Sequence, residues 1–473
     1  MHRPAWYIGA LLVAAAVVAG VVCLAAGGEA AVTVIETHPI APGEAIVTLR
    51  DEGDEARHHW LQSVAIDGSA RWSVDLHDRV PVATLGTSAI LATGERVFAL
   101  LTPAASGHAT RLMAIERASG KRLWEVGVDA SVGDDVVTVT ADALLADDER
   151  VYVARAVGRE ARVDAFTLDG GAHVWSAPLD ATNVRLRALD GERLLATPRV
   201  GAGQAIDRAT GVATPRGWGV YLGEIGGAVA IGQMTSFSVI GLTGEPARYD
   251  VTDEYGVESR APIGVFGERW IVAGLRVLAT NAVAIGGFDR GAKALAWTID
   301  LGRLLFAERA SDGGALPRFV AVGVHGRPTG GKESMTSPPL SAGGDGKGDA
   351  LVVVDLAEGK VVWDTALDTT RFEAFDARGR AWVWLEEGTL VAIDPVSGGV
   401  QRATAFAGIA ANAVVNEEAV RYGQLWLRGD ATAARDEAPL VVVDLASGLV
   451  VLRRGDIAVT DVTAMVRAAF GAP

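Results

Sequence analysis

Residues Ala350–Leu367 read Ala-Leu-Val-Val-Val-Asp-Leu-Ala-Glu-Gly-Lys-Val-Val-Trp-Asp-Thr-Ala-Leu, and weakened copies of this phrase recur along most of the chain. Recurrence at a spacing of tens of residues restricts the fold to a repeat architecture, in which each unit buries its apolar surface only against its neighbours. Within one copy, Leu351–Val354 is a β-branched apolar run suited to a strand buried on both faces. Asp355 ends that strand with a carboxylate able to accept from turn amides, and Gly359 supplies a positive φ at little steric cost. Lys360–Trp363 opens the partner strand, whose Trp363 offers a large apolar surface and an indole N–H in need of an acceptor. A lone hairpin is marginal in water, so stacking many copies is the physical solution.

The copies are recognised by slots. Glu116, Gly120 and Trp124 keep the acid, the glycine and the tryptophan. Asp207 and Gly211, Asp394 and Gly398, and Asp444 and Gly448 keep the acid and glycine, with Pro215, Arg402 and Leu452 in place of the tryptophan. Trp72, Trp175 and Trp297 keep the tryptophan after altered turns, and a ninth, poor copy runs over Phe237–Tyr249. A second phrase keeps the same phase: Gly94-Glu-Arg-Val-Phe98, Asp148-Glu-Arg-Val-Tyr152, Gly191-Glu-Arg-Leu-Leu195 and Gly267-Glu-Arg-Trp-Ile271, with related forms at Gly379 and Gly423. It precedes each hairpin phrase as a turn entering an earlier strand of the same unit would.

These residues resemble the PQQ-like β-propeller repeats, a superfamily that includes pyrroloquinoline-quinone dehydrogenases and the propeller lipoprotein of the outer-membrane barrel-assembly machine. The resemblance runs from about Ala45 to Gly455. It implies an all-β propeller of four-stranded blades, with the tryptophans wedged between blades. Eight blades are expected, with seven and nine as alternatives, over residues 45–473. Ile457–Phe470 is expected to complete the first blade's sheet, because closure is how propellers remove exposed edges.

Ala5–Gly28 is almost wholly apolar and follows Arg3, so residues 1–30 read as a membrane anchor or signal segment that places the body outside the cytoplasm. Gly28 and Ala30 keep a cleaved signal open, and Cys23 keeps lipidation open. Residues 31–44, with Pro39 and Pro42, read as a tether. Cys23 is the only cysteine, so no intramolecular disulfide forms. The net charge of −15 argues against a nucleic-acid partner, which a basic face would attract.

The quinone enzymes of the superfamily carry a vicinal cysteine pair and a calcium-binding set, and neither is found here, so no catalytic, cofactor-binding or metal residue is assigned. The eight histidines, His2, His38, His58, His59, His77, His108, His173 and His325, are scattered and read as surface residues. Residues 326–349, rich in Gly, Ser and Pro, read as a flexible insertion; Asp345 and Asp349 lack the remaining ligands of a calcium loop, and Gly330-Gly331-Lys332 lacks the Ser or Thr of a phosphate loop. Asp51–Arg57 reads as a solvated hairpin tip. The expected protein is a monomeric, non-catalytic scaffold at the cell envelope that binds unidentified envelope proteins. The alternative is an enzyme or sensor that holds a quinone or small ligand in the central funnel.

Overall fold

A computed structural model describes residues 31–51, 59–76, 85–103, 110–128, 137–138, 143–157, 160–179, 184–188, 191–198, 200–225, 228–233, 235–240, 247–251, 255–257, 263–277, 283–307, 316–325, 349–367, 375–376, 381–385, 388–394, 396–409 and 420–470. Among these residues the chain forms nine antiparallel blades and almost no helix. Blade 1 shows the pattern in Val32–Ala41, Glu44–Asp51, His59–Ala65 and Ala70–Asp75, paired in sequence order from the innermost strand outward. Blades 2 to 9 follow over about 85–127, 137–179, 184–219, 220–250, 255–302, 303–367, 375–407 and 420–454. Two long strands each serve two blades. Ala213–Ile225 pairs back to blade 4 and forward into blade 5, and Ala294–Ala307 does the same for blades 6 and 7.

The count corrects the expected eight. The poor copy at Phe237–Tyr249 is a full unit whose strands Ser236–Ile240 and Ala247–Asp250 pair Phe237 with Tyr249. Their rings stack at 4.9 Å, and Tyr249 meets Trp270 of blade 6 edge-on at 6.4 Å. An aromatic cluster thus fills the place that an indole fills elsewhere, which is why the slot pattern was faint there.

The expected tether is a second correction. Val32–Ala41 is the innermost strand of blade 1, with Val32 and Val34 buried. Pro39 is tolerated because this is an edge strand, and Pro42-Gly43 forms the turn, with Gly43 at φ 73°.

The ring closes without strand exchange, which corrects the expected role of the C-terminus. Blade 1 already has four strands of its own. Ala458–Asp461 instead adds a fifth strand outside Val400–Ala407 of blade 8, and a terminal helix, Thr463–Phe470, follows it. Blades 9 and 1 meet directly. Val32 and Ala433 exchange backbone hydrogen bonds of 2.8 and 3.1 Å, the Gln62 amide donates to Asp436 at 2.8 Å, and the Tyr422 hydroxyl donates to the Ile40 carbonyl at 3.1 Å.

Among the described residues no helix is long and apolar enough to cross a membrane, and residues 1–30 lie outside them. Residues 52–58 and 326–348 do too, so the expected solvated tip and most of the expected insertion are not described.

Candidate binding face

Each outer hairpin builds its turn from the acid and the glycine. The amide of Gly211 donates to the Asp207 carbonyl at 2.8 Å, and the Asp207 carboxylate accepts from the amides of Ala209 and Thr210. Gly120, Gly359, Gly398 and Gly448 close the same way on Glu116, Asp355, Asp394 and Asp444. The Thr210 hydroxyl and these amides hold the Asp207 carboxyl below the usual carboxylate range. Asp394 is lowered chiefly by the Ser397 amide, and Asp355 chiefly by hydrogen bonds from Arg318.

In most blades one residue of the outer strand bulges immediately before the tryptophan slot, as the pairing of Ala114 with Trp124 but Ile115 with Arg122 shows. A bulge bends the strand and increases its twist, aiming the next side chain at the neighbouring blade. The bulged residues Leu123, Val174 and Val451 are consequently exposed. Trp72, Trp124 and Trp175 lie over the turn glycines of the following blades. A Cβ added at Gly120, Gly171 or Gly211 would come within 2.6, 2.6 and 2.7 Å of their ring atoms. Trp297 sits likewise on Gly359, and Trp363 lies more loosely over Gly398, at 3.3 Å. Leu452 occupies the equivalent place over Gly68, across the join between blades 9 and 1.

The second phrase supplies the other half of the clasp, which sequence reasoning did not assign. The Leu168 carbonyl of blade 3 accepts from Trp124 Nε1 at 2.9 Å and from Arg96 Nη1 at 2.7 Å, both of blade 2. The Arg208 carbonyl accepts from Trp175 Nε1 at 3.0 Å and from Arg150 in the same manner. Arg269 reaches the Leu356 and Ala357 carbonyls of blade 7. The arginine was visible in the repeated Gly-Glu-Arg, but its acceptor lies one blade further on.

Charged side chains reinforce two joins. Glu44, nearly buried, accepts from Arg117 at 2.7 Å and Arg71 at 3.0 Å. Burial pushes its carboxyl up, but the Arg117 hydrogen bond and the nearby charges outweigh that and leave it lowered. Asp147 pairs with Arg208 of the next blade and accepts from the Tyr152 hydroxyl at 2.6 Å. Burial opposes its ionisation, but these bonds lower it on balance, while burial first and the Asp147 bond second raise Tyr152.

All of these turns lie at one end. Strands alternate in direction, so the links between first and second strands and between third and fourth strands share a face, and the remaining links share the other. That second face receives most of the long connections, including the one between His325 and Asp349, which sit directly opposite one another in register; the link from Ala307 to Phe319 in blade 7 falls on the first face. Residues 429–439 of blade 9, with Arg435–Glu437 as a 3-10 turn, also lie on it and lap onto blade 1. The two ends therefore differ in kind. One is closed upon itself by repeated clasps, and the other carries most of the irregular sequence.

Asp164 is buried and accepts from Arg155 at 2.7 Å and from the Ser176 hydroxyl at 2.5 Å, with His173 Nε2 2.9 Å from that oxygen. The serine donates to the carboxylate rather than to the imidazole, so this set is an anchored ion pair and not an activated nucleophile. Among the described residues no three His, Cys, Asp or Glu side chains converge on a metal-sized position. His38 and His59 are buried, which corrects their expected surface placement; His38 sits on the innermost strand beside Glu36, at 3.3 Å. Asp51, expected at a solvated tip, is buried as well.

Residues 57–214 match a family model described as PQQ_2, outer membrane protein assembly factor BamB. The repeats within residues 57–214 are thus similar to those of the PQQ-like propellers. Similar solved structures include BamB from Moraxella catarrhalis, at 14% identity over 76% of this chain and 96% of that one, with a TM-score of 0.43. A europium-containing methanol dehydrogenase is similar at 12% identity over 87% and 83% of the two chains, with a TM-score of 0.38. The quinohemoprotein alcohol dehydrogenase from Comamonas testosteroni is similar at 12% over 77% and 72%, with a TM-score of 0.39. No curated protein matches the chain.

Proposed function

We propose that this chain is a non-catalytic scaffold of the cell envelope that binds protein partners through its irregular face, with residues 1–30 holding it at the cytoplasmic membrane and the propeller on the extracytoplasmic side. The observation that carries the reading is the difference between the two faces. At the clasped end the acids and arginines of the repeat are engaged with turn amides, carbonyls and one another, leaving them little capacity for a ligand. The other end carries the variable connections on a rigid frame, which is where binding residues concentrate in folds of this kind. An envelope setting also agrees with the assembly factor for which the matched family model is named.

Photo-crosslinking groups placed singly in the full-length chain in intact cells test this reading. Positions Thr432 and Glu437, exposed on the irregular face, should capture discrete proteins, whereas Val212 and Val396, exposed in turns of the clasped face, should not. Equal capture from both faces, or none from either, defeats the proposal. A quinone absorbance with stoichiometric calcium in the purified chain would favour the enzyme reading instead.

A further inference from the structure

Among the described residues, the outer edge of blade 8 is the one that an added strand covers. Its last strand, Val400–Ala407, reads Val-Gln-Arg-Ala-Thr-Ala-Phe-Ala, with Arg402 its only charge. Several other outer strands carry their own edge protection, such as Arg71 and Asp75 in blade 1, Arg122 and Glu125 in blade 2, Pro178 in blade 3 and Arg453 with Arg454 in blade 9. A long edge with so little charge is a template for pairing with another chain.

The C-terminal segment satisfies this edge group by group. Thr404–Ala407 pairs antiparallel with Ala458–Asp461. The Ala403 carbonyl accepts from the Val462 amide at 3.0 Å, and the Ala403 amide donates to the Thr463 hydroxyl at 2.9 Å. Beyond the reach of the added strand, Arg467 of the terminal helix donates to the Val400 carbonyl at 2.7 Å and the Gln401 carbonyl at 2.9 Å. Val466 is buried beside Val400, Val353 and Trp363, so the helix also covers the junction of blades 7 and 8. The added strand itself is mostly exposed, and it is reached through Gly455, at φ 73°.

From this we infer that the outer edge of blade 8 is a strand-acceptor site, held in cis by residues 458–470 and able to take the same segment of a second copy in trans. The occupant follows from the edge's own demands: a short extended strand, a hydroxyl three residues after its centre and a cation at the carbonyls beyond. An identical segment meets all three, and exchange of an identical element preserves every contact while linking two copies. A partner with a different sequence would leave some of those edge groups unmatched.

The register supplies the test, because Ala405 lies opposite Thr460. Two full-length chains are prepared, both carrying Cys23→Ser, one with Ala405→Cys and the other with Thr460→Cys. After mixing and mild oxidation, a disulfide-linked heterodimer is expected, rising several-fold when the Ala405→Cys chain alone also carries Thr463→Ala, which loosens its own cis segment and leaves the incoming one intact. A chain carrying both cysteines should cross-link within itself when dilute, which verifies the cis register. Pairing the Ala405→Cys chain with a Leu449→Cys chain, whose cysteine is exposed on blade 9, measures collisional linkage. Heterodimer no greater than in that control overturns exchange, and failure of the double-cysteine chain to cross-link in cis overturns the acceptor site itself.

Discussion

At the scale of single residues, the turn glycines meet two demands at once. Gly120 and Gly211 adopt φ values of 72° and 75°, and each leaves a space that the preceding blade's indole fills. A methyl group there strains the backbone and strikes the ring, so Gly120→Ala and Gly211→Ala are each expected to cost about 1–3 kcal/mol. Trp72 and Trp175 are the most buried of the wedge tryptophans, and Trp175→Ala should cost about 3–5 kcal/mol. Trp363, half-buried and looser on its glycine, should cost less. Thermal melting of the four variants orders them, and a Trp175→Ala chain that melts with its parent would refute the wedge. Glu44 gives the pH dependence. Its folded carboxyl is lowered, so its contribution is present above the unfolded value of about 4.3 and is lost as pH falls through the folded value. Glu44→Gln should therefore lower stability at neutral pH by about 1–3 kcal/mol, and the difference from the parent should shrink on acidification below about pH 4. Melting both proteins from neutral to acid pH shows whether it does.

Among elements, the outer hairpins were legible because every determinant of a hairpin is local: the acid, the glycine and the β-branched run lie within about ten residues of one another. The clasp was half legible. The Gly-Glu-Arg phrase was visible, but the acceptor of Arg96 lies 72 residues away, at Leu168, and no local pattern encodes that pairing. The edge strand Val32–Ala41 was obscured by its prolines, which signal a tether only where a backbone donor is needed, and an innermost edge needs none on that side. Blade 5 was obscured because Phe237 and Tyr249 do by ring stacking what acid, glycine and indole do elsewhere. The connection 326–348 is the element whose removal should matter least to stability. His325 and Asp349 are already opposite one another, and loop-closure entropy changes by only about 0.6 kcal/mol per doubling of length. Replacement by a short turn should leave the melting temperature nearly unchanged and abolish the crosslinks expected from that face. A chain that unfolds on this replacement would show the segment to be part of the core.

For the whole molecule, the decisive feature is how a ring of nine blades stays closed when its two ends do not share a sheet. Closure falls on the contacts between blades 9 and 1, and the innermost strand of blade 1 carries several of them: the backbone exchange with Ala433 and the acceptor for Tyr422. Tyr422 adopts φ 55°, an unfavourable value for a non-glycine residue, in the same turn from which its hydroxyl reaches across the join. Two N-terminal truncations separate a tether from a strand. A chain beginning at Ala31 keeps Val32, Val34 and Ile40 in place and should retain a β-rich circular dichroism spectrum and a single cooperative melt. A chain beginning at Glu44 loses those buried side chains, bares the edge of Glu44–Asp51 and removes the acceptors of the join. Each blade is stabilised only through its neighbours, so opening the ring at one point weakens every interface that follows. The second truncation is therefore expected to melt well below the first or to aggregate, and equal melting of the two would return residues 31–44 to the role of a tether.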